Sequence, residues 1–207
     1  MKLLVATRSE GKQAEARRLL ELAGIEVLFP DDAGVYRSAA EEGLESAETF
    51  EGNARQKAEY FCRRTGLPTV ADDSGLEVIS LGGAPGVRSR RWAGATGTAT
   101  DVDAANNAEL RRRLVGAPDA RRRARYRCVL ALLIPPDPFA RIFEGTCSGT
   151  ILAEPRGSGG FGYDPLFLSD ELGLTFGEAP SADKDRVSHR GRAFAELVHV
   201  LASERTG

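Results

Sequence analysis

Three acidic side chains, Glu45, Asp72 and Asp73, are the groups of this sequence best suited to hold a metal ion. The two aspartates follow directly on a predicted short strand at 69–71, so we expect their carboxylates at the carboxyl edge of a sheet, where α/β proteins bind ligands. Adjacent carboxylates there suit a hard cation such as Mg²⁺, which takes one or two protein carboxylates and leaves room for phosphate oxygens. An ordinary Asx turn is the alternative interpretation of this Asp-Asp-Ser-Gly run.

The segment from Thr7 to Lys12 is a candidate phosphate site. It lies between a predicted buried strand at 2–6 and a predicted amphipathic helix, so backbone N–H groups and the positive end of the helix dipole would face an anion beside the Lys12 ammonium group. The glycine spacing of a P-loop is absent, and Gln13 replaces the serine or threonine that follows the lysine in that motif. An ordinary turn would have the same local sequence.

Lysine is rare in this chain. The 28 cationic residues include only four lysines, Lys2, Lys12, Lys57 and Lys184. A lysine retained among so many arginines indicates a site that needs a compact ammonium group rather than a planar guanidinium, with chance as the alternative.

A glycine-rich loop at 157–162 fits the G-x-G-x-x-G pattern. A dinucleotide-binding fold requires a helix directly after this motif, whereas Tyr163, Asp164 and a proline follow here, so the dinucleotide interpretation is excluded. The loop places Phe161, which can stack on a base, close to Asp164, which can accept hydrogen bonds.

The run from Lys184 to Arg190 brings a lysine, an arginine and His189 to the predicted start of the last helix, with Ser188 as a cap. His189 is one of only two histidines in the chain. Because histidine is so scarce, a Ser-His-Asp hydrolase and a histidine-rich metal site are both disfavoured.

The charge balance gives no general attraction to nucleic acid or to a membrane. The net charge is −2. The arginine clusters at 111–113 and 121–123 lack interleaved aromatic residues, so we interpret the first as the solvated end of a helix and the second as the start of an edge strand. The longest apolar run, at 128–134, is much shorter than the roughly 18 residues of a membrane helix. Three widely spaced cysteines fit neither a disulfide framework nor a zinc site, which predicts a cytoplasmic location.

Strands and helices alternate along the 207 residues, which predicts an α/β fold of one domain with a central mixed β-sheet flanked by helices. A second, smaller lobe is expected on a long hairpin, with an active-site cleft between the two lobes. Thr49 is the predicted cap of the second helix. The predicted strands are 2–6, 25–29, 69–71, 76–80, 125–134, 141–151 and 165–168, and the later helices are 101–114 and 188–203.

Six segments together give the chain a strong resemblance to a known enzyme family, the noncanonical purine nucleoside triphosphate pyrophosphatases, which include the inosine and xanthosine triphosphatases. Three of the four lysines lie inside these segments. The segments are ATRSEGK at 6–12, ETFEGNARQKA at 48–58, ADDSGLEV at 71–78, GGAPGVRSRRWAG at 82–94, GGFGYDPLF at 159–167 and KDRVSHRGRA at 184–193.

The resemblance implies hydrolysis of ITP, dITP and XTP between the α and β phosphates, giving a monophosphate and pyrophosphate with Mg²⁺ as cofactor. It implies that Glu45 and Asp73 hold the metal, that Asp73 also accepts a proton from the attacking water, and that Lys57 neutralises the triphosphate. A cytoplasmic homodimer without a nucleic-acid or membrane partner is expected. The residues implied to bind the nucleotide are Thr7, Arg8, Ser9, Glu10, Gly11, Lys12, Ser74, Phe161, Gly162, Tyr163, Asp164, Lys184, His189 and Arg190.

Base selectivity is expected from stacking on Phe161 and from donors such as His189 and Arg190, which suit the C6 oxygen of hypoxanthine or xanthine and oppose the amino group of adenine. Two positions depart from the family pattern: Ser9 stands where an asparagine is common, and Gly52 stands where many members have a glutamate. The alternatives are a pyrophosphatase for modified pyrimidine triphosphates and a non-catalytic protein that binds nucleotides or nucleic acid.

Overall fold

The computed structural model describes residues 1–203 of the chain, and eleven regular elements make up its framework. Short 3₁₀ turns at 39–41, 79–81, 86–91 and 119–121 lie between them. The elements are β1 (Lys2–Val5), α1 (Glu10–Glu21), β2 (Glu26–Leu28), α2 (Phe50–Thr65), β3 (Thr69–Val78), α3 (Ala99–Arg113), β4 (Arg123–Leu133), β5 (Arg141–Ile151), β6 (Phe167–Ser169), α4 (Ser181–Val187) and α5 (His189–Ser203).

The strands form one six-stranded sheet in the order β2-β1-β3-β4-β5-β6. Strand β1 pairs in parallel with β2 and with β3, whereas β5 and β6 are antiparallel. The sheet is therefore mixed, which confirms the predicted α/β class.

The chain divides into two compact units. Of the described residues, the first unit comprises Met1–Asp73, Cys128–Gly145 and 190–203; the second comprises Ser74–Arg127 and Thr146–His189. The closed end of the β4–β5 hairpin belongs to the first unit and its open end to the second, so the hairpin contributes to both units rather than forming the base of one. The expectation of a single domain stays a prediction.

Each unit has its own apolar core. In the first unit, side chains alternate along β1: Leu3 and Val5 pack with α1 and α5, whereas Leu4 and Ala6 pack with α2. Apolar side chains recur every two residues on the strand and about every 3.6 residues on the helices, so helices cover both faces of the strand. In the second unit, β3 and β4 pack with α3 around Phe167 and Phe176.

Strand β3 differs from the prediction in a way that affects the candidate site. A break was expected at Asp-Asp-Ser-Gly, but a single strand runs from Thr69 to Val78, so Asp72 and Asp73 lie inside a strand rather than at its end. Both the edge placement and the Asx-turn alternative are therefore wrong. Gly75 is absent from the glycines with positive φ, and the two carboxylates are buried beside cations, so neither a turn nor exposure to water is required.

Two further features bear on the sequence predictions. The last helix is preceded by a separate helix, α4, and Ser188 links the two with extended backbone. The three cysteines, all within the described residues, are buried and form no disulfide bond. Within residues 1–203, the structure contains no helix that is long and apolar enough to cross a membrane.

Candidate active site

The first unit begins with the predicted strand–turn–helix at 7–12. Ser9 is the N-cap of α1, and its backbone N–H donates to Thr7 Oγ1 at 3.2 Å. The Gln13 side chain donates to the Thr7 carbonyl at 3.0 Å, which fixes the turn. Glu10 and Gly11 form the first turn of α1, so the N-terminal end of the helix lies beside Lys12, as the sequence predicts.

Arg8 has a different environment from the one expected of a phosphate ligand. Its guanidinium donates to both carboxylate oxygens of Glu41 (2.9 and 3.1 Å), to Asp31 (2.6 Å) and to the Val35 carbonyl (2.6 Å). The hydrogen bond to Glu41 is the main cause that raises the pKa of Arg8. Within the first unit, this side chain therefore holds the 31–41 segment; its role as a phosphate ligand stays a prediction.

Asp72 is the centre of a buried charge cluster. Its Oδ2 atom lies 3.0 Å from Lys12 Nζ and accepts from Arg190 Nε and Nη2 at 3.2 Å each, and its backbone carbonyl accepts from Lys57 Nζ at 2.5 Å. Burial alone would raise the pKa of Asp72, but Lys12, Arg190 and Lys57 hold that pKa well below its usual range. The charged form of Asp72 is therefore favoured, and this residue contacts two lysines and one arginine.

Arg190 is itself buried and joins Asp72 to α1. Its Nη1 atom donates to Glu15, which is also buried, while Nε and Nη2 donate to Asp72. Burial opposes the charge, but the two carboxylates raise the pKa of Arg190 above its usual value. The geometry gives Arg190 a role in holding Asp72, whereas its expected role as a donor to the base stays a prediction.

Asp73 lies in a second arrangement with Lys57, Glu45 and Asn53. Lys57 Nζ is 2.7 Å from Glu45 Oε1 and 3.5 Å from Asp73 Oδ1. Asn53 Nδ2 donates to the other oxygen, Asp73 Oδ2, at 2.9 Å. Asn53 and Lys57 are four residues apart on the buried face of α2, which therefore presents an amide and an ammonium group to Asp73.

The two neighbouring carboxylates have opposite electrostatic environments. Burial raises the pKa of Asp73, and Lys57 and Lys12 offset this only in part. The pKa of Asp72 shifts the other way because Lys12 and Arg190 lie directly on its carboxylate. A carboxylate that accepts a proton needs a raised pKa, whereas one that stays charged to hold cations needs a lowered pKa. Asp73 is therefore the better candidate base of the pair.

Gly52 explains how Glu45 comes close to Lys57. A β-carbon at position 52 would lie 2.7 Å from the Ala47 β-carbon and 3.1 Å from Thr49 Oγ1. The Ala47 N–H donates to Asn53 Oδ1 at 2.9 Å, so the segment that carries Glu45 packs on the first turn of α2. The glutamate that many family members have at position 52 has no room here while this segment keeps its place.

Replacing Gly52 with alanine therefore tests the close approach. Alanine is favoured over glycine inside a helix by about 1 kcal/mol, whereas forcing a methyl group into an occupied space costs about 1–3 kcal/mol. We expect the clash to dominate, so that the free energy of unfolding in urea falls by about 1 kcal/mol.

Gly43→Ala is the matched control, because a β-carbon at position 43 meets nothing within 4 Å, and we expect it to leave the free energy of unfolding nearly unchanged. A Gly52→Ala protein more stable than the unsubstituted chain would show that Ala47 does not pack on Gly52.

In the second unit, Asp164 gathers the residues of the glycine-rich loop. Its Oδ2 atom accepts from Lys184 Nζ at 2.5 Å and from the Phe161 N–H at 2.9 Å, and its Oδ1 atom accepts from Tyr126 Oη at 3.3 Å. The Lys184 ammonium group lies 5.1 Å from the centre of the Phe161 ring and 5.4 Å from that of Phe176. This cation–π geometry places Phe161 over a buried charge.

His189 and Tyr163 are held by other side chains of the second unit. The His189 ring stacks on Tyr126 with centroids 4.6 Å apart and planes at 7°. Tyr163 donates its hydroxyl hydrogen to the Ser89 carbonyl at 2.8 Å, and burial raises its pKa above the usual value. Tyr163 therefore anchors the loop, and Ser74 lies half-buried on β3.

The structure thus divides the predicted residues between two sets. The first unit holds the residues from Thr7 to Lys12 with Glu45, Lys57, Asp72, Asp73 and Arg190, and the second holds Ser74, Phe161 to Asp164, Lys184 and His189. The partners that the sequence analysis missed include Glu15, Asn53 and Tyr126. For Glu15 and Asn53 the available signal was a polar residue on the buried face of an amphipathic helix, which requires a polar partner.

The sequence model of the Ham1 family matches residues 3–200. Two relatives bear the name dITP/XTP pyrophosphatase: the protein of Syntrophobacter fumaroxidans is 48% identical and covers 94% of this chain and 79% of its own length, and that of Frankia alni is 45% identical and covers 97% of each.

Solved structures of similar proteins share the fold. A HAM1 protein from Coxiella burnetii has a TM-score of 0.83 and 36% identity, covering 98% of this chain and 99% of its own. A nucleoside-triphosphatase / dITP/XTP pyrophosphatase from Mycobacterium abscessus has a TM-score of 0.71 and 43% identity, covering 95% of this chain and 98% of its own.

Proposed function

Since the chain belongs to the Ham1 family, we propose that it hydrolyses noncanonical purine nucleoside triphosphates, ITP, dITP and XTP, to the monophosphate and pyrophosphate. The observation that carries the proposal is the buried pair Asp72–Asp73, one carboxylate fixed as an anion by Lys12 and Arg190 and the other held by Lys57 and Asn53. Neighbouring carboxylates whose pKa values shift in opposite directions are typical of sites for acid–base chemistry, which supports an enzyme.

Residues of the first unit supply the groups that this proposed reaction needs. Water attacks the α-phosphorus and loses its proton to Asp73 Oδ1 or Oδ2, while the bond from the α-phosphorus to the bridging oxygen breaks and pyrophosphate leaves with the electron pair. Lys12, Lys57 and the N–H groups at the start of α1 neutralise the charge that develops on the phosphate oxygens. Phosphoryl transfer depends mainly on such positioning and neutralisation.

The donor groups at Glu45 and Asp73 fit a magnesium ion. Both carboxylates already lie on one cationic atom, Lys57 Nζ, so they face a common point. Mg²⁺ uses one or two protein carboxylates together with phosphate and water, and Glu45 and Asp73 would supply those carboxylates. When bound, the ion would supply charge stabilisation to the triphosphate.

Chelation tests the metal requirement. We expect excess EDTA to abolish ITP turnover and added Mg²⁺ to restore it, because two lysines alone leave most of the triphosphate charge unneutralised. The measurement is pyrophosphate release with and without chelator, after dialysis of the protein. Undiminished turnover in EDTA would exclude the magnesium site.

The second unit supplies the base contacts in this proposal. Phe161 stacks on the purine, and Asp164 and Lys184 hold Phe161 in place through the loop backbone and the ring face. The buried His189 is the proposed donor to the C6 oxygen, because the N–H groups of Phe161 and Gly162 already donate to Asp164 and Asp103. An amino group facing donors loses a hydrogen bond, which typically costs about 1–3 kcal/mol.

We further propose a cytoplasmic homodimer, as the family resemblance implies. The three cysteines are buried and form no disulfide bond within the described residues, which supports a reducing compartment. Sedimentation of the purified chain at micromolar concentration would give the mass of the assembly.

A panel of triphosphates tests the proposed substrate class. We expect kcat/KM for ITP, dITP and XTP to exceed that for ATP by at least about tenfold, the value of one lost base contact. Preferential cleavage of modified pyrimidine triphosphates would favour the alternative enzyme. Binding of triphosphates without turnover would favour a regulator.

A further inference from the structure

Helix α3 holds the backbone of the glycine-rich loop at one residue, Gly162. The Gly162 N–H donates to Asp103 Oδ2 at 2.8 Å, and the Gly162 carbonyl accepts from Asn107 Nδ2 at 2.8 Å. The N–H and the carbonyl of one loop residue are thus both bound by side chains of another element of the second unit. Neither Asp103 nor Asn107 belongs to the segments that carry the family resemblance.

The two side chains are well placed to keep this geometry. Asp103 and Asn107 are four residues apart on one face of α3, and Asn107 Nδ2 also donates to the Asp103 carbonyl at 2.8 Å. Because both neighbours of this amide nitrogen are carbonyl oxygens, the amide orientation is fixed. Asp103 Oδ1 is bound in turn by Arg90 Nη1 at 2.6 Å.

Helix α3 is itself firmly attached within the second unit. A capping box between Thr98 and Asp101 fixes its first turn. The buried Asn106 accepts from the Ala93 N–H at 2.8 Å and donates to the Arg90 carbonyl at 3.1 Å. The helix therefore provides a rigid support for the loop rather than moving with it.

Support at Gly162 affects the backbone that carries the adjacent Phe161 side chain. It lies between Phe161 and Tyr163 and has φ of +64°, a conformation that side-chain-bearing residues rarely adopt. The N–H of Phe161 is fixed by Asp164 and that of Gly162 by Asp103, so consecutive peptide groups are held from two sides. The direction of the Phe161 ring depends on both attachments.

We propose that Asp103 and Asn107 are positioning residues for base recognition, which set the selectivity for the purine by holding Gly162 and thereby the Phe161 ring. The proposal rests on the proposed function, because it takes the glycine-rich loop as the surface that binds the base. Both residues belong to the second unit, whereas the residues proposed to bind the triphosphate belong to the first, so their loss is expected to act on base selectivity and not on the chemical step.

The test compares Asp103→Ala and Asn107→Ala with the unsubstituted chain in hydrolysis of ITP and ATP. We expect KM for ITP to rise about tenfold with kcat nearly unchanged, as for the loss of one hydrogen bond, while ATP turnover changes little. The ratio of kcat/KM for ITP to that for ATP therefore shrinks. The inhibition constant of inorganic tripolyphosphate, which has no base, is expected to stay the same.

Three further variants separate positioning from a general structural effect. Asp103→Asn keeps an acceptor oxygen for the Gly162 N–H and is expected to recover most of the selectivity. Arg90→Ala removes the ion pair that supports Asp103 and is expected to lower the ratio less than Asp103→Ala does. Glu109→Ala removes ion pairs with Arg112 and Arg113 on the same helix and is expected to leave the ratio unchanged.

An unchanged ITP-to-ATP ratio in both alanine variants would overturn the inference, as would an equal fall for both substrates together with weaker tripolyphosphate inhibition. Should Asp103→Ala fail to fold, Asn107→Ala and Asp103→Asn decide the question with the same readouts. A failure of the proposed function is distinct, because the unsubstituted chain would then not cleave ITP at all.

Discussion

Asp73→Asn is expected to lower kcat for ITP hydrolysis by at least about 10²–10⁴-fold, the usual contribution of a general base, with the fold intact. Asparagine keeps the size of the side chain and an acceptor for Asn53 Nδ2, but it cannot accept a proton from water. It also removes one of the two carboxylates proposed to hold the metal. The measurement is pyrophosphate release at saturating ITP.

Asp119→Asn, at an exposed turn, is the control and is expected to keep full activity. An unchanged urea unfolding curve for Asp73→Asn would show that the loss concerns chemistry and not folding. Near-normal turnover in Asp73→Asn would contradict the assignment and give the proton-accepting role to another group.

Arg190→Ala is expected to have the largest effect on stability, a loss of about 3–5 kcal/mol in the free energy of unfolding. The guanidinium is buried between Glu15 and Asp72, and its removal leaves two buried carboxylates with fewer cations around them. Burial of a charge without a partner is strongly unfavourable, which is why the cost exceeds that of an exposed ion pair. Urea unfolding followed by circular dichroism measures it.

Arg186→Ala is the matched control, because Arg186 is largely exposed and forms a long ion pair, 3.9 Å, with Asp183. Its loss should change the free energy of unfolding by less than about 1 kcal/mol. The same Arg190→Ala protein also separates two roles of this residue. An equal fall in ITP and ATP turnover is expected if Arg190 acts through Asp72, whereas a selective fall for ITP would support a donor to the base.

Local sequence signals predicted much of the framework because they depend on neighbouring residues. The Thr49 cap is confirmed, with its side chain accepting from the Gly52 N–H, and β5 has the predicted bounds. The predicted turn at 7–12 also begins a helix at Glu10. In each case, a few consecutive residues determine the structure through capping or alternation.

The misses are contacts between residues far apart in the chain. Arg190 reaches Asp72 and Glu15 across 118 and 175 positions, and no local pattern specifies such a partner. The continuous β3 has the same cause, because its two aspartates tolerate burial only through cations that come from α1, α2 and α5. Local composition favoured a turn, and tertiary charge pairing favoured a strand.

Identification of the products of ITP hydrolysis tests the proposed function most directly. Nucleotide products separated by chromatography, with phosphorus NMR of the phosphate product, distinguish the bond that breaks. The proposed function predicts IMP and pyrophosphate in equal amounts and no IDP at any time in the reaction. IDP with orthophosphate would place the attack on the γ-phosphorus and contradict the assigned roles of Asp73, Lys12 and Lys57.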